Sequence, residues 1–185
     1  MEMNVPKFEE TLFVAVDLQE RLIPSMYNPD DVTARAAVLL KGAAELGGRV
    51  IATEQYPKGL GNTIPAISET FVPENTSVVA KTSFSVFGEE NFRAELEKKY
   101  PRTIVFCGVE AHVCVLSSIF DALAAGFNVV VAADAVSSRK ESEKLLALES
   151  ARQAGAWVLS TETILFMLLQ NSLNPAFKAV SKLIK

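Results

Sequence analysis

One pattern repeats along the chain: short, wholly apolar runs alternate with longer stretches whose apolar residues recur at helical spacing. A strand that is apolar on both faces needs cover on both faces, and amphipathic helices supply it. The predicted strands are residues 11–16, 49–53, 77–80, 103–107, 128–133 and 157–159. Helices are predicted from Asp30 or Asp31 to about Leu46, over 89–99, from Val113 to a stop at Gly126, and over 141–154, 161–170 and 175–184. A loop rich in Pro and Gly, residues 56–65, interrupts the alternation. Right-handed crossovers then give a three-layer, doubly wound α/β domain with a parallel sheet of about six strands. At 185 residues the chain holds a single domain, 1–185, with a sizeable core.

Composition removes several function classes. With 18 Lys and Arg against 22 Asp and Glu the formal net charge is −4, and no basic cluster stands out, so no nucleic-acid partner is expected. Lys178, Lys182 and Lys185 fall on one side of a short amphipathic helix and read as a solvated face. No apolar run approaches the roughly 20 residues of a membrane span, so no membrane partner is expected either. The N-terminal Met1-Glu-Met-Asn-Val-Pro-Lys-Phe-Glu-Glu lacks the basic-then-apolar layout of a secretory signal. Two cysteines suit a reducing compartment, and the expected location is cytoplasmic. An apolar fraction of 49% leaves surface to be buried in a homo-oligomer. No phosphate-binding glycine motif follows a strand, and no cofactor is expected.

In such a sheet, ligands bind beyond the carboxyl ends of the strands. Asp17 and Lys81 each follow directly on an apolar run there, and Cys114 lies just past the fourth run. A single strand-end charge is usually an ordinary solvated one, but three ionisable groups at the strand ends of one sheet point to a site. Unpaired N–H groups in the first turn of the following helix favour a Cys114 thiolate; the competing reading is that a cysteine there simply packs. The chemistry of the three together is nucleophilic hydrolysis at an acyl carbon. Asp17 takes the proton of Cys114, Lys81 holds Asp17 ionised, and backbone N–H groups around the 110–114 turn stabilise the oxyanion.

The run Cys107-Gly-Val-Glu-Ala-His-Val-Cys-Val resembles the Gly-x-x-x-x-x-Cys-Val turn of the isochorismatase-like cysteine hydrolase superfamily, and the resemblance spans nearly the whole chain. It implies a parallel six-stranded sheet with helices on both faces, and Asp17, Lys81 and Cys114 as a catalytic triad. It also implies a cis peptide between Val109 and Glu110, with the N–H groups of Glu110 and Cys114 forming the oxyanion hole. The stretch Thr53-Glu-Gln-Tyr-Pro-Lys-Gly-Leu-Gly-Asn-Thr-Ile-Pro and the run Lys81-Thr-Ser-Phe-Ser-Val-Phe most resemble the isochorismatase domain-containing protein subgroup. Nicotinamidases of the superfamily hold a metal on histidines after the second strand. The one histidine here is His112, so no metal is expected. Isochorismatases of siderophore synthesis lack the cysteine. Cys114 therefore turns the expectation toward an amidase-like enzyme acting on a C–N or related acyl bond of a small molecule.

Other residues are candidates for the pocket wall: Gln19, Glu54, Tyr56, Phe84, Phe87 and His112. Glu54 leads because it too follows a predicted strand end. His112 stands two residues before Cys114, where a helix turns the two side chains apart, so it reads as a structural or wall residue rather than a base. Cys107 reads as buried and inert. Two alternatives share the fold: a non-catalytic oligomeric scaffold, and a thiol redox sensor in which Cys107 resolves an oxidised Cys114.

Overall fold

The computed structural model describes residues 6–185; the first half of the stretch read for a targeting signal lies outside the described residues. The strands are β1 (Thr11–Val16), β2 (Arg49–Gln55), β3 (Thr76–Lys81), β4 (Thr103–Val109), β5 (Asn128–Ser137) and β6 (Trp157–Leu159). They form one six-stranded sheet in the order β3-β2-β1-β4-β5-β6, every neighbouring pair parallel. The chain order reverses between β1 and β4, and this is the switch point at which such sheets open a crevice.

Successive strand residues point to opposite faces, so each strand feeds two cores. Phe13 and Ala15 of β1, Val50 and Ala52 of β2, and Val105 and Cys107 of β4 face one helical layer. That layer is α1 (Pro29–Glu45), α7 (Thr161–Leu169) and α8 (Phe177–Ile184), which contribute Leu39, Leu40, Leu165 and Val180. Leu12, Val14 and Val16, with Ile51, Val79, Ile104 and Phe106, face the other. There they meet α4 (Glu90–Lys99), α5 (Leu116–Ala124) and α6 (Glu141–Gln153) through Phe92, Leu96, Ile119, Ala147 and Ala151. The expected three-layer, doubly wound architecture is the one found, and among the described residues no helix is long and apolar enough to cross a membrane.

Several boundaries differ from the sequence reading, and four of them have a plain local reason. Helix α1 starts at Pro29, whose fixed φ suits a first helical position, with Asn28 (φ 47°) before it; Asp30 and Asp31 sit in the first turn rather than capping it. Strand β2 continues past Thr53 to Gln55 because β3 pairs with it as far as Lys81. The 56–65 loop encloses one short helix, α2 (Pro57–Leu60), and leads into a second, α3 (Pro65–Ser68), each opened by its proline. Strand β5 runs on to Ser137: it leaves the ladder opposite Cys107 and rejoins at Val136, hiding its second half from a periodicity count.

Gly108 explains how closely β4 can approach β1 at the switch point. Its φ is 113°, and an added Cβ would run into the backbone carbonyl of Val16. Neither the dihedral nor the contact can relax without moving a central strand. We expect Gly108→Ala to lower unfolding free energy by more than about 3 kcal/mol, read from denaturant melts; a loss below about 1 kcal/mol would contradict the packing described.

Candidate functional site

Lys81 is the last residue of β3 and shares its inward parity with Val79, so the strand itself carries the ammonium under the sheet's covered face. Asp17 follows β1 with φ 51°, a left-handed turn that Asp tolerates better than most residues. The two meet at 2.7 Å between Nζ and Oδ2, both side chains fully shielded from solvent. The Lys81 protons go to Gln55 Oε1 at 2.6 Å and to the carbonyls of Ser83 and Phe84 at 3.1 and 3.3 Å. Asp17 Oδ1 accepts the Thr53 hydroxyl at 2.8 Å, whereas Oδ2 receives no well-directed hydrogen bond beyond the ammonium's charge. A buried ion pair survives only when its spare donors and acceptors are met, and here nearly all are.

Cys114 lies in a π-helical turn, Ala111–Val115, that leads from β4 into α5. Its thiol is within the hydrogen-bonding influence of both Asp17 and Lys81. Burial first, and then the Asp17 charge, push the thiol pKa from 9.0 up to about 12. This overturns the expectation of a resting thiolate. A helix terminus contributes at most about 2 kcal/mol, under two pH units, which cannot offset that desolvation. The peptide between Val109 and Glu110 is cis. No acceptor among the described residues takes the Glu110 N–H. The Glu110 carboxylate instead pairs with Arg139 at 2.6 Å.

The remaining candidates separate cleanly. Glu54, the leading one, points to the opposite face and accepts from the Thr63 N–H and hydroxyl at 2.7 and 2.9 Å. It lies inside β2, not after it. Gln19 is fully buried and spent on the loop, bonding the Gln55 backbone on both sides and the Gly61 carbonyl at 2.7 Å. Phe87 packs edge-on against Phe92 at 5.4 Å, in the core. Tyr56 and Phe84 are exposed at the rim, 57% and 62% accessible. His112 Nδ1 meets Ser138 Oγ at 3.0 Å, and the ring lines a cavity of about 290 Å³ with Arg139, Lys140 and Glu143. Cys107 is fully buried in the core on the face opposite Cys114, out of position to resolve it as a disulfide. Among the described residues, no three His, Cys, Asp or Glu side chains gather in a metal-binding group.

Sequence reasoning missed Thr53 and Gln55, which complete the shell around the pair, and Glu89. A parity count continued two residues past Thr53 would have put Gln55 on the same face as Ile51 and Thr53. Glu89 Oε1 accepts the backbone N–H of Ser83 and Thr82 at 2.9 and 2.8 Å and the Ser83 hydroxyl at 2.7 Å. It thereby ties down the loop whose carbonyls hold Lys81.

Fold and site together define a hydrolase-type α/β domain with a buried acid–amine pair beside a cysteine. The isochorismatase domain model matches residues 11–163, and the chain belongs to that family. Isochorismatase domain-containing protein 2 of Xenopus laevis is 39% identical over 91% of this chain and 80% of its own length. The solved structure of MAR1 ribonuclease from Caenorhabditis elegans superposes with a TM-score of 0.92 at 35% identity, covering 98% of this chain and 92% of that one. YcaC of Escherichia coli, described as an octameric hydrolase of unknown specificity, shares the fold with a TM-score of 0.92 at 20% identity, over 100% and 91% of the two chains.

Two measurements test this geometry. Iodoacetamide labelling of Cys114, followed by peptide mass spectrometry, should accelerate about tenfold per pH unit without levelling off near neutrality; a plateau at neutral pH would mean a thiolate already formed. Hydrogen bonds from Ser83 and Thr82 lower the Glu89 pKa from 4.5 to about 2, so folding favours its anion above 4.5 and loses that contribution as pH falls toward 2. The stability advantage of the parent over Glu89→Gln should therefore shrink across that interval. An advantage that stays constant in acid would remove the clasp from the account.

Proposed function

We propose that the protein is a cysteine hydrolase that cleaves a C–N or related acyl bond of a small molecule without a metal, with Cys114 as nucleophile, Asp17 as base and Lys81 as fixed counter-charge. The observation that carries this reading is the fully buried Asp17–Lys81 pair beside the Cys114 thiol. A carboxylate and an ammonium are costly to bury, and a packed apolar pair would serve stability as well or better.

The thiol rests neutral, held so by burial and by the Asp17 charge, and Asp17 is also the group that receives its proton. As Cys114 sulfur attacks the acyl carbon, its proton passes to Asp17 and the carbonyl electrons move to oxygen. The Glu110 N–H, free of other acceptors, and the Cys114 N–H are the donors assigned to that oxyanion. Collapse of the tetrahedral species expels the amine, which leaves with the proton held on Asp17. Water then attacks the thioester, Asp17 accepts its proton, and return of that proton to sulfur releases the acid. Lys81, paired in charge with Asp17 and its protons given to Gln55 and the loop carbonyls, stabilises charge and transfers nothing.

A small-molecule substrate is the partner class this supports. The C. elegans structure bears the name of a ribonuclease; the net charge of −4 here gives a polyanion little to bind. Assembly into a homo-oligomer is part of the same proposal, supported by the octameric E. coli neighbour and by Leu145 and Leu146, 57% and 64% exposed side by side on α6.

The test is a panel of amides and carbamoyl compounds assayed with and without chelator. We expect Cys114→Ala to abolish turnover with its melting temperature near that of the parent. Asp17→Asn should abolish turnover and also cost about 3–5 kcal/mol, because it strands the buried ammonium. Hydrolysis surviving in Cys114→Ala rules out the nucleophile, and loss of parental activity on chelation rules out the metal-free route.

A further inference from the structure

We propose that Thr53 and Gln55 are positioning residues that set which oxygen of Asp17 faces the sulfur and how the Lys81 ammonium is aimed. The proposal rests on the cysteine-hydrolase reading and adds to it the residues that give the base its direction. Both side chains project from the end of β2 toward the face that carries Val79, Lys81 and Cys114, while Glu54 between them projects away.

The donor and acceptor inventory makes the roles distinct. A carboxylate only accepts, so the hydrogen bond of 2.8 Å between Thr53 Oγ1 and Asp17 Oδ1 has the hydroxyl as its donor. The hydroxyl proton takes one Oδ1 lone pair and lowers the proton affinity of that oxygen. Oδ2 faces the Lys81 ammonium at 2.7 Å but accepts no well-directed hydrogen bond, so it keeps a lone pair for the thiol proton. Thr53 also holds the turn through its backbone carbonyl, which accepts the Asp17 N–H at 3.1 Å.

Gln55 fixes the other member of the pair. Its Nε2 donates to the Thr82 carbonyl at 2.9 Å, which turns Oε1 toward Lys81 Nζ at 2.6 Å. Its backbone is clamped from both sides by the fully buried Gln19. The amide thus links the ammonium to the same 82–84 loop whose carbonyls take its remaining protons. A neutral acceptor suits this place: a carboxylate here would compete with Asp17 for the ammonium.

The experiment compares Thr53→Val, Thr53→Ser and Gln55→Met with the parent, each shown to be folded by circular dichroism and thermal melting. In Thr53→Val we expect kcat to fall roughly 10- to 100-fold with KM within about twofold, the size of one lost hydrogen bond to a charged group. The acid limb of its kcat/KM profile should move to higher pH, since the anion loses a donor. Thr53→Ser, which keeps the hydroxyl, should restore both. Gln55→Met should lower kcat by a similar factor at unchanged KM. Should Thr53→Val not fold, Thr53→Cys, a weaker donor, replaces it with a smaller effect in the same direction. Parental kcat and an unmoved limb in Thr53→Val, or a Thr53→Ser as impaired as Thr53→Val, overturn the assignment. If the parent turns over nothing in the panel, the hydrolase reading fails while this one is still read by carbon-13 NMR of Asp17 in a Cys114→Ala background. There the Asp17 carboxyl resonance should move with Thr53→Val and hold the parental position with Thr53→Ser; no difference between them sinks it.

Discussion

A lysine ammonium and an aspartate carboxylate, neither touching solvent, meet at 2.7 Å at one end of a parallel sheet. Each would cost several kcal/mol to bury alone, and removing either partner leaves the other stranded. The surroundings are arranged around that constraint. Thr53 and Gln55 come from the strand between the two charges, and the 82–84 loop lends carbonyls to the ammonium. Glu89 fixes that loop from outside with four hydrogen bonds to one oxygen. Polar demand is thereby passed outward from the buried charges to a residue that water can reach.

Strand order makes this geometry available. Lys81 and Asp17 lie on strands separated by β2, a gap a lysine stem can bridge only beneath the covered face. The switch point between β1 and β4 then brings Cys114 in from the other side. Gly108 is required at this boundary, since any side chain would meet the Val16 carbonyl and push the cysteine-bearing turn away from the pair.

The fold was legible because its signal is collective: each of the six apolar runs became a strand, and both helical layers follow from their spacing. The meeting of Asp17 and Lys81 was legible for a related reason, since charges at apolar strand ends of one sheet converge on one rim. What failed was local. Ending β2 at Thr53 placed Glu54 after the strand and in the pocket, when parity sends it to Thr63. The same boundary concealed Gln55. Helix position argued for a resting thiolate, and sequence carries no measure of the burial that reverses it. Gln19 and Phe87 stood near the right residues in sequence but face the loop and the core.

A thiol with a pKa near 12 beside a buried carboxylate also limits the order of events in the proposed chemistry. Burial and the Asp17 charge both disfavour a free thiolate. In the proposed chemistry, proton transfer to Asp17 accompanies carbon–sulfur bond formation, with the charge arriving on an oxygen faced by N–H donors. Such a site holds its nucleophile protected until an electrophile displaces water and aligns with it. The resting thiol is therefore guarded against adventitious oxidation, which draws on thiolate character, and Cys107 on the far face of the sheet offers it no partner. On the proposed mechanism, burial that reads as a penalty for the nucleophile is what makes its reactivity conditional on substrate.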